Sequence, residues 1–147
     1  MAEFSTIATV TPVAADTSLS VIASATARPG ISEIIFGSSA TPNDYSVHFQ
    51  LQRFSADGTG TAVTPQPLDF NERPAIATSK HTYTVEPTNT ANEILLNLGH
   101  NQRATPRWVA QPGREVWAPA LAGDGLGLRC IAISTVFVVE LTMFFTE

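Results

Sequence analysis

The chain has 147 residues, of which 44% are hydrophobic and only 14% are charged, and its formal net charge is −5. This length is that of one domain, so a single domain over residues 1–147 is expected, and an acidic chain without a basic face is not expected to bind nucleic acid. No apolar run reaches the roughly 20 residues of a membrane span, and the first ten residues lack the pattern of a secretory signal, which predicts a protein made in the cytoplasm.

Alternation of apolar and polar residues with a period of two, typical of half-buried strands, recurs along the chain, and no helical pattern of useful length is present. Turn residues, mainly Gly, Pro and Asn, separate these segments. The predicted strands are residues 6–13, 19–27, 32–36, 45–52, 61–64, 81–86, 93–98, 107–110, 114–118, 126–134 and 136–145. The pattern predicts an all-β protein with a single antiparallel β-sandwich, jelly-roll-like, of about eight to ten strands; an immunoglobulin-like sandwich is the alternative.

The strand over residues 45–52 shows the clearest alternation of the chain. It is followed by Ala56-Asp57-Gly58 and then by a second alternating run at residues 61–64. Two alternating runs joined by a turn that requires positive φ predict a β-hairpin at this point.

Two segments depart from this simple alternation. Residues 64–80 contain three prolines and no clean strand pattern, and a loop of this length in a compact domain is either functional or disordered. Residues 136–145 are apolar on both faces of the predicted strand. This last strand is therefore expected to be central and covered on both sides, or buried at a contact between subunits.

No arrangement of residues indicates catalysis, so the chain is predicted not to be an enzyme and to hold no metal or cofactor. The serines after Gly37 do not form a nucleophile elbow, and the three histidines lie on separate predicted elements without metal-ligand spacing. The glycine-rich segment at residues 123–128 is not followed by a helix that could hold a phosphate, so its glycines are expected to let the chain turn and pass close to a neighbouring strand. Cys130, the single cysteine, is predicted to be a small buried residue.

Residues 100–117 hold three of the seven arginines and both tryptophans of the chain. These residues are Arg103, Arg107, Trp108, Arg114 and Trp117. Because Arg and Trp are enriched at the energetic centres of interfaces, one interpretation is a protein-binding surface. The alternative is a hairpin around Pro112-Gly113, with the tryptophans in the core and the arginines on its solvated face. The sequence leaves both open.

The eight basic residues comprise seven arginines and a single lysine, Lys80. A chain with few charges can bury a large area against a partner with few desolvated charges. Arginine also suits partly dehydrated contacts better than lysine does. The composition therefore predicts a subunit of an assembly.

Over its full length the chain resembles small β-sandwich structural proteins of tailed bacteriophages, of the kind that cement or decorate the capsid. The resemblance is clearest in Asn-Gln-Arg-Ala at 101–104, Arg-Trp-Val-Ala-Gln-Pro-Gly at 107–113, Gly-Leu-Gly-Leu-Arg at 125–129 and Val-Glu-Leu-Thr-Met-Phe-Phe at 139–145. It implies a structural virion protein on the outer surface of the phage head, which bridges subunits of the major capsid protein and forms a homo-oligomer, with a trimer favoured. It assigns no individual contact residue.

A second hypothesis is a carbohydrate-binding or receptor-binding β-sandwich of a virion. In that case Trp108, Trp117 or Tyr45 would stack on sugar rings.

Overall fold

A computed structural model describes all 147 residues and contains twelve strands and no helix. The strands are β1 Glu3–Val10, β2 Thr17–Ile22, β3 Gly30–Ala40, β4 Ser46–Ala56, β5 Thr59–Val63, β6 Gln66–Pro67, β7 Thr78–Val85, β8 Thr88–Asn101, β9 Arg107–Val109, β10 Val116–Trp117, β11 Gly125–Ile133 and β12 Val138–Thr146. They form two six-stranded antiparallel sheets. The prediction of an all-β antiparallel sandwich is confirmed. The twelve strands exceed the eight to ten expected, and the two-residue strand β6 lies where no strand was predicted.

The first sheet has the strand order β10-β3-β12-β1-β6, and β9 also pairs with β3. The second sheet has the order β5-β7-β2-β11-β4-β8. Alternate residues of each strand point into the space between the sheets, where they form a core cluster of 23 buried residues. Phe4 and Phe145 stack there with ring centroids 5.5 Å apart. Cys130 is buried as predicted, and burial raises the pKa of its thiol to about 11.

Strand β12 is central in the first sheet, between β1 and β3. The face that includes Leu141 and Met143 is fully buried in the core. The opposite face carries Glu140, Thr142 and Phe144, and no further layer of the chain covers it. The expected central position is therefore found, but the cover lies on one side only.

The predicted hairpin after β4 is wrong. Strand β4 pairs with β8 and β11, whereas β5 pairs with β7 at the far edge of the same sheet. The chain does not turn back at Asp57-Gly58. It passes from β4 at one side of the sheet to β5 at the other, and the connection between β7 and β8, residues 85–88, runs antiparallel beside it. We call residues 56–59 and 85–88 the crossover ribbon. The β4–β5 segment and the β7–β8 segment thus form one long two-stranded ribbon that changes its neighbours halfway along.

A small second core lies on the outer face of the second sheet. Phe54 is 1% exposed but is not part of the main core cluster, because it points to the face opposite Leu51. Its ring lies directly against the backbone of β11 at Gly125, and it is also close to Gly127. The glycines of this segment therefore allow close approach of a neighbouring strand, as the sequence predicted, and their function is packing.

The loop between β6 and β7 is held at the end of the sandwich where β1 begins and β12 ends. The Glu147 carboxylate accepts hydrogen bonds from Arg73 Nη1, Ile76 N and Ala77 N, each at 2.8 Å. Leu68 N donates to the Glu3 carbonyl at 2.9 Å. The segment was expected to be functional or disordered. The structure shows an ordered loop that these hydrogen bonds anchor.

Candidate functional site

The segment that carries the predicted interface residues runs along the edge of β3. Strand β9 pairs with residues 33–35 of β3 and β10 pairs with residues 30–31. The two short strands therefore do not pair with each other, and the predicted hairpin around Pro112-Gly113 is wrong. Instead, residues 110–115 form a largely exposed loop at the sheet edge, closed by a turn from Gln111 to Arg114. Such a loop interrupts the regular edge that another strand would need for pairing.

The two tryptophans occupy different places. Trp108 lies opposite Ile34, on the inner face of the first sheet, and packs half-buried against the core. Trp117 lies opposite Gly30, where an added Cβ would stand 2.7 Å from its ring. The Arg28 guanidinium lies 5.4 Å from the Trp117 ring centroid, and Arg28 Nε donates to the Ala118 carbonyl at 2.8 Å. Trp117 is therefore a packing residue of this end of the sandwich.

The three arginines do not converge either. Arg107 lies on the outer face of the first sheet, where its guanidinium binds both carboxylate oxygens of Glu33, at 2.5 and 3.0 Å. Arg103 and Arg114 lie in separate exposed turns, and neither belongs to any of the four ion pairs of the chain. The structure therefore does not bring the five predicted residues together into one site.

The first sheet instead presents an apolar surface that sequence reasoning described only in part. We call it the apolar face; its members are Ile7, Ile35, Val109 and Phe144. Residues paired across β1, β12, β3 and β9 lie in rows on this face. One row is Ser5, Phe144, Glu33 and Val109, and the next is Ile7, Thr142, Ile35 and Arg107. Ile7 is 62% exposed and Val109 is 52% exposed. Only the contribution of the last strand was visible in the sequence, since the other residues meet it through pairing between distant strands.

The outer face of the second sheet carries a polar cluster beneath the crossover ribbon. Lys80 Nζ lies 2.5 Å from Asp57 Oδ2 and donates to the Gly58 carbonyl at 3.0 Å. The Tyr83 hydroxyl contacts Ser20 Oγ at 2.5 Å and donates to Asp57 Oδ1 at 3.3 Å. Burial, followed by the nearby carboxylates, raises the pKa of Tyr83 well above its usual range. The only lysine of the chain thus serves to hold the crossover ribbon.

A groove of about 290 Å³ lies beside this cluster, between the end of β1 and Tyr83. Its ten lining residues include Val10, Pro12 and Val13, and the rest are mostly threonines and other polar residues, with Asp16 among them. The groove contains no histidine or cysteine and no pair of carboxylates. Its ionisable side chains are those of Asp16 and Tyr83.

His100 lies between the two sheets at the edge strand β8. Its ring centroid is 4.9 Å from that of Phe36 and 5.9 Å from that of Phe49, with which it stacks. Its Nδ1 atom is buried without a hydrogen-bond partner. Burial lowers the pKa of His100 below its usual 6.5, so the neutral imidazole belongs to the folded state.

Acidification is therefore expected to destabilise the protein through His100. In the unfolded chain the imidazole binds a proton as the pH falls through about 6.5, whereas the folded state resists protonation, so stability is lost as the pH falls below that value. Urea unfolding at about pH 7.5 and 5.5 should show a smaller loss for His100→Phe than for the wild type. Equal losses for the wild type and His100→Phe would contradict this assignment.

No three His, Cys, Asp or Glu side chains converge in an arrangement that could hold a metal ion. The chain has no helix of the length and apolarity needed to cross a membrane. Neither a protein-family model nor a curated protein nor a solved structure matches the chain.

Proposed function

We propose that the protein is a structural subunit of a bacteriophage virion that binds the outer surface of the head and stabilises the capsid by bridging major capsid proteins. The observation that carries the proposal is the apolar face, formed by Ile7, Ile35, Val109 and Phe144 on the uncovered outer side of the first sheet. An exposed apolar surface rimmed by polar groups marks a site of protein contact.

The polar groups on this surface suit binding to an assembled lattice. Glu33 lies between Phe144 and Val109, and its charge is neutralised by Arg107. Glu140 accepts a hydrogen bond from Thr9 at 2.6 Å, and the bonds from Thr9 and Ser39 lower the pKa of Glu140. A partner that covers this surface would therefore have few unpaired charges to desolvate. Individual copies can bind weakly and still reinforce the lattice, because many copies act together when they are joined as an oligomer; a trimer is the form we favour.

The proposal is tested with heads assembled without this protein. Purified wild-type protein is expected to bind them and to raise the temperature at which they release DNA. Ile7→Lys places a charge on the apolar face at an exposed position, so the fold should persist and binding should weaken by about tenfold or more, as expected for an interface centre. Val85→Lys, at a similarly exposed apolar residue outside this face, is the matched control. A wild-type protein that leaves the heads unbound would overturn the proposal.

The carbohydrate-binding alternative receives less support from the aromatic residues. Trp108 packs against the core, and Trp117 contacts Gly30 and Arg28. Tyr45 is 52% exposed, but it has no second aromatic ring beside it among the ring pairs of the chain. We therefore place the virion-subunit proposal first.

A further inference from the structure

Phe70 is the most exposed large hydrophobic residue of the chain, at 97%. It lies in the loop between β6 and β7, and Leu68 in the same loop is 51% exposed. We call residues 68–72 the presented loop. A fully exposed phenylalanine contributes nothing to the core of this molecule. Its ring can bury apolar area only against a partner.

The presented loop is held in one conformation by hydrogen bonds on both sides of Phe70. Asn71 N donates to Asp69 Oδ1 at 2.9 Å, and Glu72 N donates to the Asp69 carbonyl at 3.0 Å, which closes a tight turn around the phenylalanine. Further along, Arg73 binds Glu147, whose side chain is fully buried. A side chain on a pre-ordered loop loses little additional freedom on binding, which favours affinity.

The charges around Phe70 are negative. Asp69 and Glu72 belong to none of the four ion pairs of the chain and accept hydrogen bonds from Asn71 N and Arg73 N, while the Arg73 side chain is neutralised by Glu147. An apolar side chain bordered by carboxylates outside ion pairs is complementary to an apolar pocket that has basic residues on its rim.

We propose that Phe70 is an anchor that inserts into an apolar pocket with a basic rim on a different protein. The groove of this chain does not suit it, because that groove is lined mainly by polar residues and carries Asp16, which would meet Asp69 and Glu72 with like charge. This groove on a second copy is therefore a poor site for the loop. This inference rests on the proposed function, under which the pocket belongs to a subunit of the head lattice.

The loop leaves the first sheet at the edge beside β1. It follows β6, which pairs with Phe4 and Ser5 of β1, the strand that contributes Ile7 to that face. A partner that covers the apolar face can therefore reach Phe70 over the same edge of the sheet, and the two surfaces can belong to one interface.

The test compares the binding of three proteins to heads assembled without this chain. Phe70→Ala is expected to bind about tenfold or more weakly than the wild type. Val136→Ala, which truncates a 69% exposed residue at the opposite end of β12, should bind as the wild type does. Because both residues are exposed, neither variant should change the urea midpoint.

Each outcome has a distinct meaning. If the wild type binds and Phe70→Ala binds equally well, the anchor is refuted while the proposed function stands. Equal weakening by Val136→Ala also refutes it. If the wild type does not bind the heads, the proposed function fails and the anchor fails with it.

A photo-crosslinking side chain at position 70 identifies the neighbour directly in bound heads. A crosslink to the major capsid protein supports the proposal. A crosslink to another copy of this chain, or none at all, overturns it.

Discussion

Replacing Gly125 by alanine is expected to destabilise the protein by about 3 kcal/mol, the upper range for forcing extra atoms into a packed site. The added Cβ would collide with the ring of Phe54 and with the carbonyl oxygen of Val21. The Val21 oxygen belongs to the neighbouring strand β2 and cannot move without disturbing the pairing of β2 with β11. The Phe54 ring cannot move without opening the second core. Urea unfolding of the purified variant measures the loss.

Two other glycines serve as controls for this prediction. Gly99→Ala adds a methyl group where no atom lies within 4 Å, so no loss is expected. Gly127→Ala should be intermediate, since its nearest neighbour is the Thr17 methyl group at 3.1 Å, the end of a side chain. Equal stability of all three variants would show that the Phe54 ring does not pack against the backbone of β11 as described.

Substitution of Lys80 by methionine is expected to cost about 2 kcal/mol, because it leaves a largely buried carboxylate without its cation. The side chains of Lys80 and Asp57 are only 25% and 20% exposed. After the substitution, Asp57 would keep only the 3.3 Å bond from the Tyr83 hydroxyl. The crossover ribbon should therefore loosen, which amide hydrogen exchange in residues 56–59 and 85–88 would reveal together with the lower urea midpoint.

Glu93→Gln is the comparison for Lys80→Met. Glu93 and Arg53 form an ion pair at 3.6 Å, and their side chains are 45% and 31% exposed. Exposed ion pairs contribute little because water and salt screen them, so Glu93→Gln should leave the midpoint almost unchanged. If the two variants lost the same stability, burial of the Lys80–Asp57 pair could not be the cause.

Much of the fold could be predicted from local pattern alone. The alternation in residues 45–52 places Val47, Phe49 and Leu51 in the core, and the structure buries all three. The last strand was expected to be central and covered on both sides, or buried at a subunit contact; it lies between β1 and β3 and is covered on one side only. What succeeds is the assignment of buried strand faces, because burial leaves a period-two signal in the sequence itself.

The crossover ribbon could not be predicted in this way. Asp57-Gly58 has the composition of a hairpin turn. At that point, however, the chain passes across β2 and β11, which are more than thirty residues away in the sequence. The local signal for a turn was overridden by pairing of β4 with β8 and of β5 with β7, which depends on contacts between segments far apart in sequence.

The candidate site was predicted least well. Clustering of Arg107, Trp108 and Trp117 in sequence suggested one surface, but neighbouring residues of a strand point to opposite faces, so Arg107 and Trp108 separate at once. Residues of the apolar face come from four strands, which only the register brings together. Phe70 was within a segment already singled out for its length, yet its exposure depends on the anchoring of the loop by Glu147.

The position of β12 has a consequence for how the protein is made. The middle strand of the first sheet is synthesised after its two partners, β1 and β3, which are completed more than ninety residues earlier. Until then Phe4, Ile34 and Phe36 have no central strand to pack beside, so this sheet cannot assemble before β12 has left the ribosome. Nascent chains that stall before β12 would expose apolar surface and unpaired strand edges, and these are the species that chaperones and proteases act on.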